Sequence, residues 1–95
     1  MSTNPVATAK FRVGHIICTP HALTRLSREE ISIAIQRHQA GDWGDVNKGD
    51  HRANDEALVQ GTRLWSIYKS AKGTKFWLIT EADRSYTTIL LPEDY

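Results

Sequence analysis

The sequence predicts an α+β fold, in which an N-terminal strand and two to three short helices pack on a three- to four-stranded antiparallel sheet. Three observations carry that expectation. Phe11, Val13, His15 and Ile17 alternate with Arg12 and Gly14, the period of a half-buried strand. Ser27-Arg28-Glu29-Glu30 is a capping box standing ahead of Ile31, Ala34, Ile35 and His38 at helical spacing. From Thr62 onward the chain reads as three β-rich runs separated by turn residues.

The elements follow in order. Residues 1–10 are small and polar and are expected to form a flexible N-terminus, leaving 11–95 as a single domain. After the first strand, Thr19-Pro20 suits an N-cap and first helical position, because Pro there gives up no needed hydrogen bond. A short helix through Leu26 would present Ala22, Leu23 and Leu26 on one side. The helix begun at Ser27 should end at Gly41, where a left-handed cap belongs. Gly41-Asp42-Trp43-Gly44-Asp45 and Asn47-Lys48-Gly49-Asp50 read as loops. Residues 51–60 suit a further helix with Ala53, Ala57 and Leu58 inward, stopped by Gly61.

Strands are expected at 63–69, 75–80 and 85–91, the first two joined through Ser70-Ala71-Lys72-Gly73 and the last ended by Pro92. Charge suggests a register for the hairpin. Setting Lys69 opposite Thr74 avoids a Lys69–Lys75 like-charge pair. That choice collects Trp65, Ile67, Phe76 and Leu78 on a core face and leaves Ser66, Tyr68, Lys75 and Trp77 on a mixed face.

Composition narrows the function classes. The 95 residues suffice for one hydrophobic core, and 40% hydrophobic with 24% charged residues is ordinary for a folded domain. A net charge of +1 is too balanced for strong sequence-independent attraction to nucleic acid, whose usual mark is a pI above about 9. The lone Cys18 excludes an internal disulfide, reads as a core thiol and fits a reducing compartment. With no signal-like stretch and no run of about 20 apolar residues, no membrane is expected and a cytoplasmic location is.

No motif for a cofactor is present. His15, His21, His38 and His51 lack metal-ligand spacing, so no metal site is expected either. Asp45 through Glu56 superficially resembles a calcium loop, but Asp50 stands where the sharp turn needs glycine. Asp42 and Asp45, flanking Trp43, could serve a hard cation or acid–base chemistry, or simply form turns. Arg63, Lys69, Lys75, Arg84, His51 and Arg52 could gather near one end or face of the sheet, or be ordinary solvated charges. Metal-free RNA cleavage needs a base, an acid and cations for the phosphorane charge, which such residues can supply.

Gly41-Asp42-Trp43-Gly44-Asp45, then Asn54, Ala57-Leu58, Gly61, Ile79-Thr80-Glu81-Ala82-Asp83-Arg84-Ser85 and Leu90-Leu91-Pro92-Glu93-Asp94-Tyr95 resemble a family of small bacterial proteins. Those are labelled hypothetical, plasmid-related or, occasionally, type I restriction endonuclease subunit M. The resemblance covers about residues 11–95 and implies an accessory protein of mobile elements. The methyltransferase label finds no Gly-rich nucleotide loop and no Asn-Pro-Pro-aromatic motif here. His21 and Arg25 on a helix before an antiparallel meander are similar in architecture to the barnase/RelE-like toxin nucleases.

Two functions follow as expectations. In the first, the chain binds or cleaves RNA without metal. His21 would then act as general base or acid, with Arg25, Arg63, Tyr68, Lys75 and Arg84 about the phosphate and Asp42, Trp43, Asp45 and Trp77 in binding. In the second it is a non-catalytic, regulatory protein-binding module anchored by Trp43, Trp65, Trp77 and Tyr95. A homodimer through an exposed edge strand would suit either.

Overall fold

The computed structural model describes residues 9–95. The order is β1 (His15–Cys18), α1 (Pro20–Arg25), α2 (Arg28–Gln39), α3 (Lys48–Gln60), β2 (Leu64–Lys69), β3 (Lys75–Thr80), β4 (Tyr86–Leu90) and a closing 3-10 turn, Pro92–Asp94. The fold is α+β, as expected, with one four-stranded sheet in the order β1-β4-β3-β2. Only the meander is antiparallel. β1 runs parallel to β4, so the sheet is mixed. Most of the expected flexible N-terminus lies outside the described residues, while Lys10 donates its N–H to the Gln39 carbonyl at 2.7 Å.

Local chemistry sets the helix ends. Thr19 caps α1, accepting from the Ala22 N–H at 3.1 Å with Pro20 in the first turn. The α2 capping box closes both ways, Glu30 N–H to Ser27 Oγ at 3.1 Å and Ser27 N–H to Glu30 Oε1 at 3.0 Å. Its C-terminus is a Schellman turn, with Gly41 at φ 83° and the Asp42 N–H on the Arg37 carbonyl at 2.9 Å. Asn47-Lys48-Gly49-Asp50 is not a loop. Asn47 accepts from the Asp50 N–H at 2.8 Å, so α3 begins three residues earlier than the apolar pattern indicated.

The hairpin register differs from the expected one. Lys69 faces Lys75, Tyr68 faces Phe76, Ile67 faces Trp77 and Trp65 faces Ile79. Relative to expectation β2 is turned over: Leu64, Ser66 and Tyr68 point at the helices, while Trp65 and Ile67 lie on the far face. A like-charge cross-strand pair costs about 0.2–1 kcal/mol. Either inward set buries large apolar side chains, so burial alone does not separate the two registers. The polar partner that Ser66 supplies in the core, by contrast, avoids an unmet buried group costing about 1–3 kcal/mol. The repulsion is simply outweighed. Leu64 joins Trp43 and Ala57, and Tyr68 joins Phe76, Leu78, Ile89, Leu91 and the α1–α2 residues Ala22, Leu26 and Ala34.

The turned strand also completes a polar chain through the core. His38 of α2 is fully buried; its Nδ1 lies 2.6 Å from Ser66 Oγ and its Nε2 2.8 Å from Thr80 Oγ1. Thr80 Oγ1 lies 2.6 Å from Thr87 Oγ1, which donates to the Val13 carbonyl at 2.8 Å. That last bond gives the chain a direction. Thr87 spends its proton on Val13, so Thr80 donates to Thr87 and His38 Nε2–H donates to Thr80; with the buried ring uncharged, Nδ1 accepts from Ser66. His38 is therefore the neutral Nε2–H tautomer. Burial, helped by the positive charge of Arg84, lowers its pKa from 6.5 to about 3.

The sign of the resulting pH effect is fixed. The unfolded chain takes up a proton near pH 6.5 and the folded one does not until about pH 3. Stability from this group is complete above pH 6.5 and falls as pH drops through that window. Denaturant unfolding at pH 7, 6 and 5, above the carboxylate range, should lose about 1.4 kcal/mol per pH unit below pH 6. His38→Leu should flatten that slope, and in the native protein the His38 imidazole signals should stay neutral down to pH 4. Titration of the His38 ring near 6.5 in the folded protein would refute the polar chain.

Candidate functional site

Both faces of the sheet carry aromatic residues, but only one is closed by α1 and α2. On the far face Lys69 and Lys75, then Ile67 and Trp77, then Trp65 and Ile79 stand in successive cross-strand pairs. After β4 the 3-10 turn brings Tyr95 back over this face, its ring 5.5 Å from Trp77. Trp77 in turn meets Trp65 edge-on at 4.9 Å. The first half of α3 borders the other side.

Between these walls is a cleft of about 310 Å³, lined by Asp50, Ala53 and Asn54 of α3, Trp65, Trp77 and Ile79 of the sheet, and Tyr95, Thr62 and Arg63. Its floor is aromatic, with a guanidinium and a carboxylate at its margins. Arg63 reaches the Tyr95 hydroxyl at 3.5 Å and Glu81 at 3.4 Å, both of which favour its charged form. The Nε1 atoms of Trp65 and Trp77 are shielded and meet no acceptor among the described residues. An unmet buried donor costs about 1–3 kcal/mol.

Asn54 makes the α3 wall rigid. Its amide donates to the Trp65 carbonyl at 2.7 Å and accepts from the Trp65 N–H at 3.0 Å, so one side chain takes the place of a neighbouring strand. The Gly41–Asp45 stretch continues that seal along β2. Ile67 donates to the Trp43 carbonyl at 3.0 Å, and Asp45 donates to the Ile67 carbonyl at 2.7 Å. Gly44 sits at φ 74°, and a Cβ built there would lie 2.0 Å from the Ile67 carbonyl oxygen, so nothing larger fits.

The expected binding residues of that stretch are thus structural. Trp43 is 1% exposed, packed on Phe11 and His38, with Nε1 donating to Asp55 at 3.0 Å, and is no surface anchor. Asp42 is held by Arg37 at 2.6 and 3.2 Å, which lowers its pKa. Asp45 is exposed and engaged through its backbone.

The expected catalytic residues occupy separate surroundings. His21 Nδ1 lies 3.1 Å from Asp94 Oδ1, whose other oxygen accepts from the Thr19 hydroxyl at 2.8 Å. Arg25 is exposed at the end of α1. Tyr68 is buried, not part of a mixed face; its hydroxyl donates to the Asp42 carbonyl, Arg37 lies over its ring at 4.5 Å, and burial raises its pKa. Arg84, at φ 62°, donates to the carbonyls of Thr62, Glu81 and Ala57 at 2.7, 3.0 and 3.2 Å, closing the end of α3. Lys75 is exposed beside Lys69. Of all these residues the cleft takes in only Arg63 and Trp77. Trp65 and Tyr95 belong with them, and Asp50 and Asn54, absent from the expected site, line the α3 wall.

Among the described residues no helix is long and apolar enough to cross a membrane, and no three acidic, histidine or cysteine side chains cluster as a metal site would. No protein-family model, no curated protein and no solved structure matches the chain.

The edge seal can be tested at its tightest point. Gly44→Ala should destabilise the fold by about 2 kcal/mol or more, through strain and the clash with Ile67. Gly73→Ala, also at positive φ (87°) but with open space around it, should cost about 1 kcal/mol. Urea midpoints for the two variants measure the difference; equal losses would mean the loop does not press on β2.

Proposed function

We propose that this protein is a non-catalytic binding module whose site is the aromatic cleft on the far face of the sheet. The observation that carries the reading is convergence. Trp65, Trp77 and Tyr95 meet about one 310 Å³ hollow with Arg63 and Asp50 at its margins. His21, Arg25, Tyr68 and Arg84 are each exposed elsewhere, buried or committed to structural bonds. A hollow of this size with an aromatic floor suits one flat ring of a partner and a few polar contacts around it. The resemblance of residues 11–95 to plasmid-related bacterial proteins supports a cytoplasmic accessory role in mobile elements.

A metal-independent ribonuclease is the second reading, and one observation favours it. The Asp94 contact orients the His21 imidazole through Nδ1 and leaves Nε2 without a partner among the described residues. A general base is commonly held in this way. Among the described residues, the hydrogen bonds and ion pairs of His21 bring no cation to it.

Two measurements separate the readings. The three tryptophans give three indole N–H resonances, with buried Trp43 as an internal reference. Titration with small flat probes, adenosine and N-acetyltyrosinamide, should shift the Trp65 and Trp77 signals and leave Trp43 in place. Trp77→Ala should abolish the response, and probes that move none of the three signals would dispose of the cleft as a site. Incubation of the purified protein with RNA should yield no cleavage. Cleavage that His21→Ala removes would establish the nuclease instead.

A further inference from the structure

We infer that the ligand of the cleft is an unpaired nucleic-acid strand, one base entering between Trp65, Trp77 and Tyr95 while neighbouring phosphates lie on Lys69 and Lys75. This rests on the reading of the cleft as a ligand site. The added observation is the lysine pair. Lys69 and Lys75 stand directly opposite on the far face, both exposed, and no carboxylate pairs with either among the described residues. The fold holds two positive charges together at a cost, beside its open aromatic surface.

Geometry relates the two features. Cross-strand pairs place Ile67 and Trp77 next to the lysines, then Trp65 and Ile79, with Arg63 just beyond. From Lys69 to Arg63 is six residues of extended chain, about 20 Å at roughly 3.3 Å each. Cations therefore bracket an aromatic platform long enough for a few nucleotides. Bases stack on aromatic faces whatever their sequence, and a single strand leaves those faces bare, whereas a duplex hides them.

Asp50 gives the strand an orientation. It is the one acidic side chain among the described residues lining the cleft. A phosphate is repelled from that wall, while an exocyclic amino group of a base finds an acceptor there. Base inward and backbone toward the lysines is the pose that charge allows. Arg63 is already occupied by Glu81 at 3.4 Å, so two lysines supply most of the phosphate attraction. That also agrees with a chain whose net charge is only +1, since the contact is local and few phosphates are engaged.

Fluorescence anisotropy with labelled ten-nucleotide RNA and DNA strands, and with the matching duplexes, tests this. At about 20 mM salt the single strands should bind at least ten-fold tighter than the duplexes. The RNA and DNA arms show whether the 2′-hydroxyl contributes. Two phosphate contacts predict a log–log salt slope near −1.4 for a single strand. Trp77→Ala should weaken binding about ten-fold or more, by loss of stacking.

Lys75→Glu distinguishes function from folding. It replaces a repulsion by an attraction to Lys69, so the urea midpoint should rise while strand binding falls at least ten-fold. A variant that is more stable yet binds less cannot be explained by a damaged fold. No single-strand binding at millimolar protein, equal duplex binding, or tighter binding of an acidic aromatic peptide through the same lysines would each overturn the inference. If the indole signals still respond to small flat probes in those cases, the cleft remains a ligand site for another partner.

Discussion

The neutral histidine at the centre of the core is the constraint on which the rest of the structure depends. His38 needs Ser66 on one side and Thr80 on the other, and Thr80 needs Thr87. Those hydroxyls come from three strands, so satisfying one imidazole fixes which face of each strand turns inward. A one-residue slip of β2 would remove Ser66 and leave a buried nitrogen unpaired, at about 1–3 kcal/mol. The Lys69–Lys75 repulsion that such a slip relieves is worth less than that. Register in this sheet follows from a polar group that cannot go unmet, together with the apolar side chains around it. The charges at the surface accept the result.

From that register the division of the tryptophans follows. Trp65 cannot enter the core if Leu64 and Ser66 do, so it stands with Trp77 on the far face. Trp43 fills the place beside His38 instead, entering from the loop that runs along β2. Gly44 permits that approach, and Asn54 supplies the remaining pairing at Trp65. One edge of the sheet is thereby closed without a further strand, and the helix that closes it becomes a wall of the cleft. The sealing of β2 and the shaping of the site are the same piece of construction.

Much of this was legible in local sequence, and the limits are equally physical. The Ser27–Glu30 box, the Thr19-Pro20 start, the Gly41 and Gly61 stops and all three meander strands are decided within a few residues, and each stands where the pattern put it. The α3 start was missed because Asn47 is a cap before a helix whose first turn, Lys48-Gly49-Asp50, carries no apolar signal. The face assignment of β2 failed because alternation is symmetric: Leu64-Ser66-Tyr68 and Trp65-Ile67 are both plausible inward sets. Only His38, about thirty positions away, chooses between them. Trp43 looked like a surface anchor since a glycine-rich loop is ordinarily exposed, and nothing local announces that its backbone pairs with Ile67. The candidate site suffered accordingly. Arg63 and Trp77 were found by residue type, whereas Asp50 and Asn54 enter through tertiary packing alone.

The distribution of unfavourable terms argues that the far face is more than a by-product of the core. On the helix side every described buried side-chain donor and acceptor has a partner, down to the last hydroxyl on the Val13 carbonyl. The two exceptions, the indole N–H groups of Trp65 and Trp77, both sit on the far face. So does the unrelieved lysine pair, and so do half-buried aromatic rings that α1 and α2 leave uncovered. Each cost is of the order of 1 kcal/mol. Scattered over a surface they would mean little, but they adjoin one another along two strands. The described core is resolved almost completely, and the terms it leaves unmet gather in one place, which is why the proposed binding site is assigned to this face.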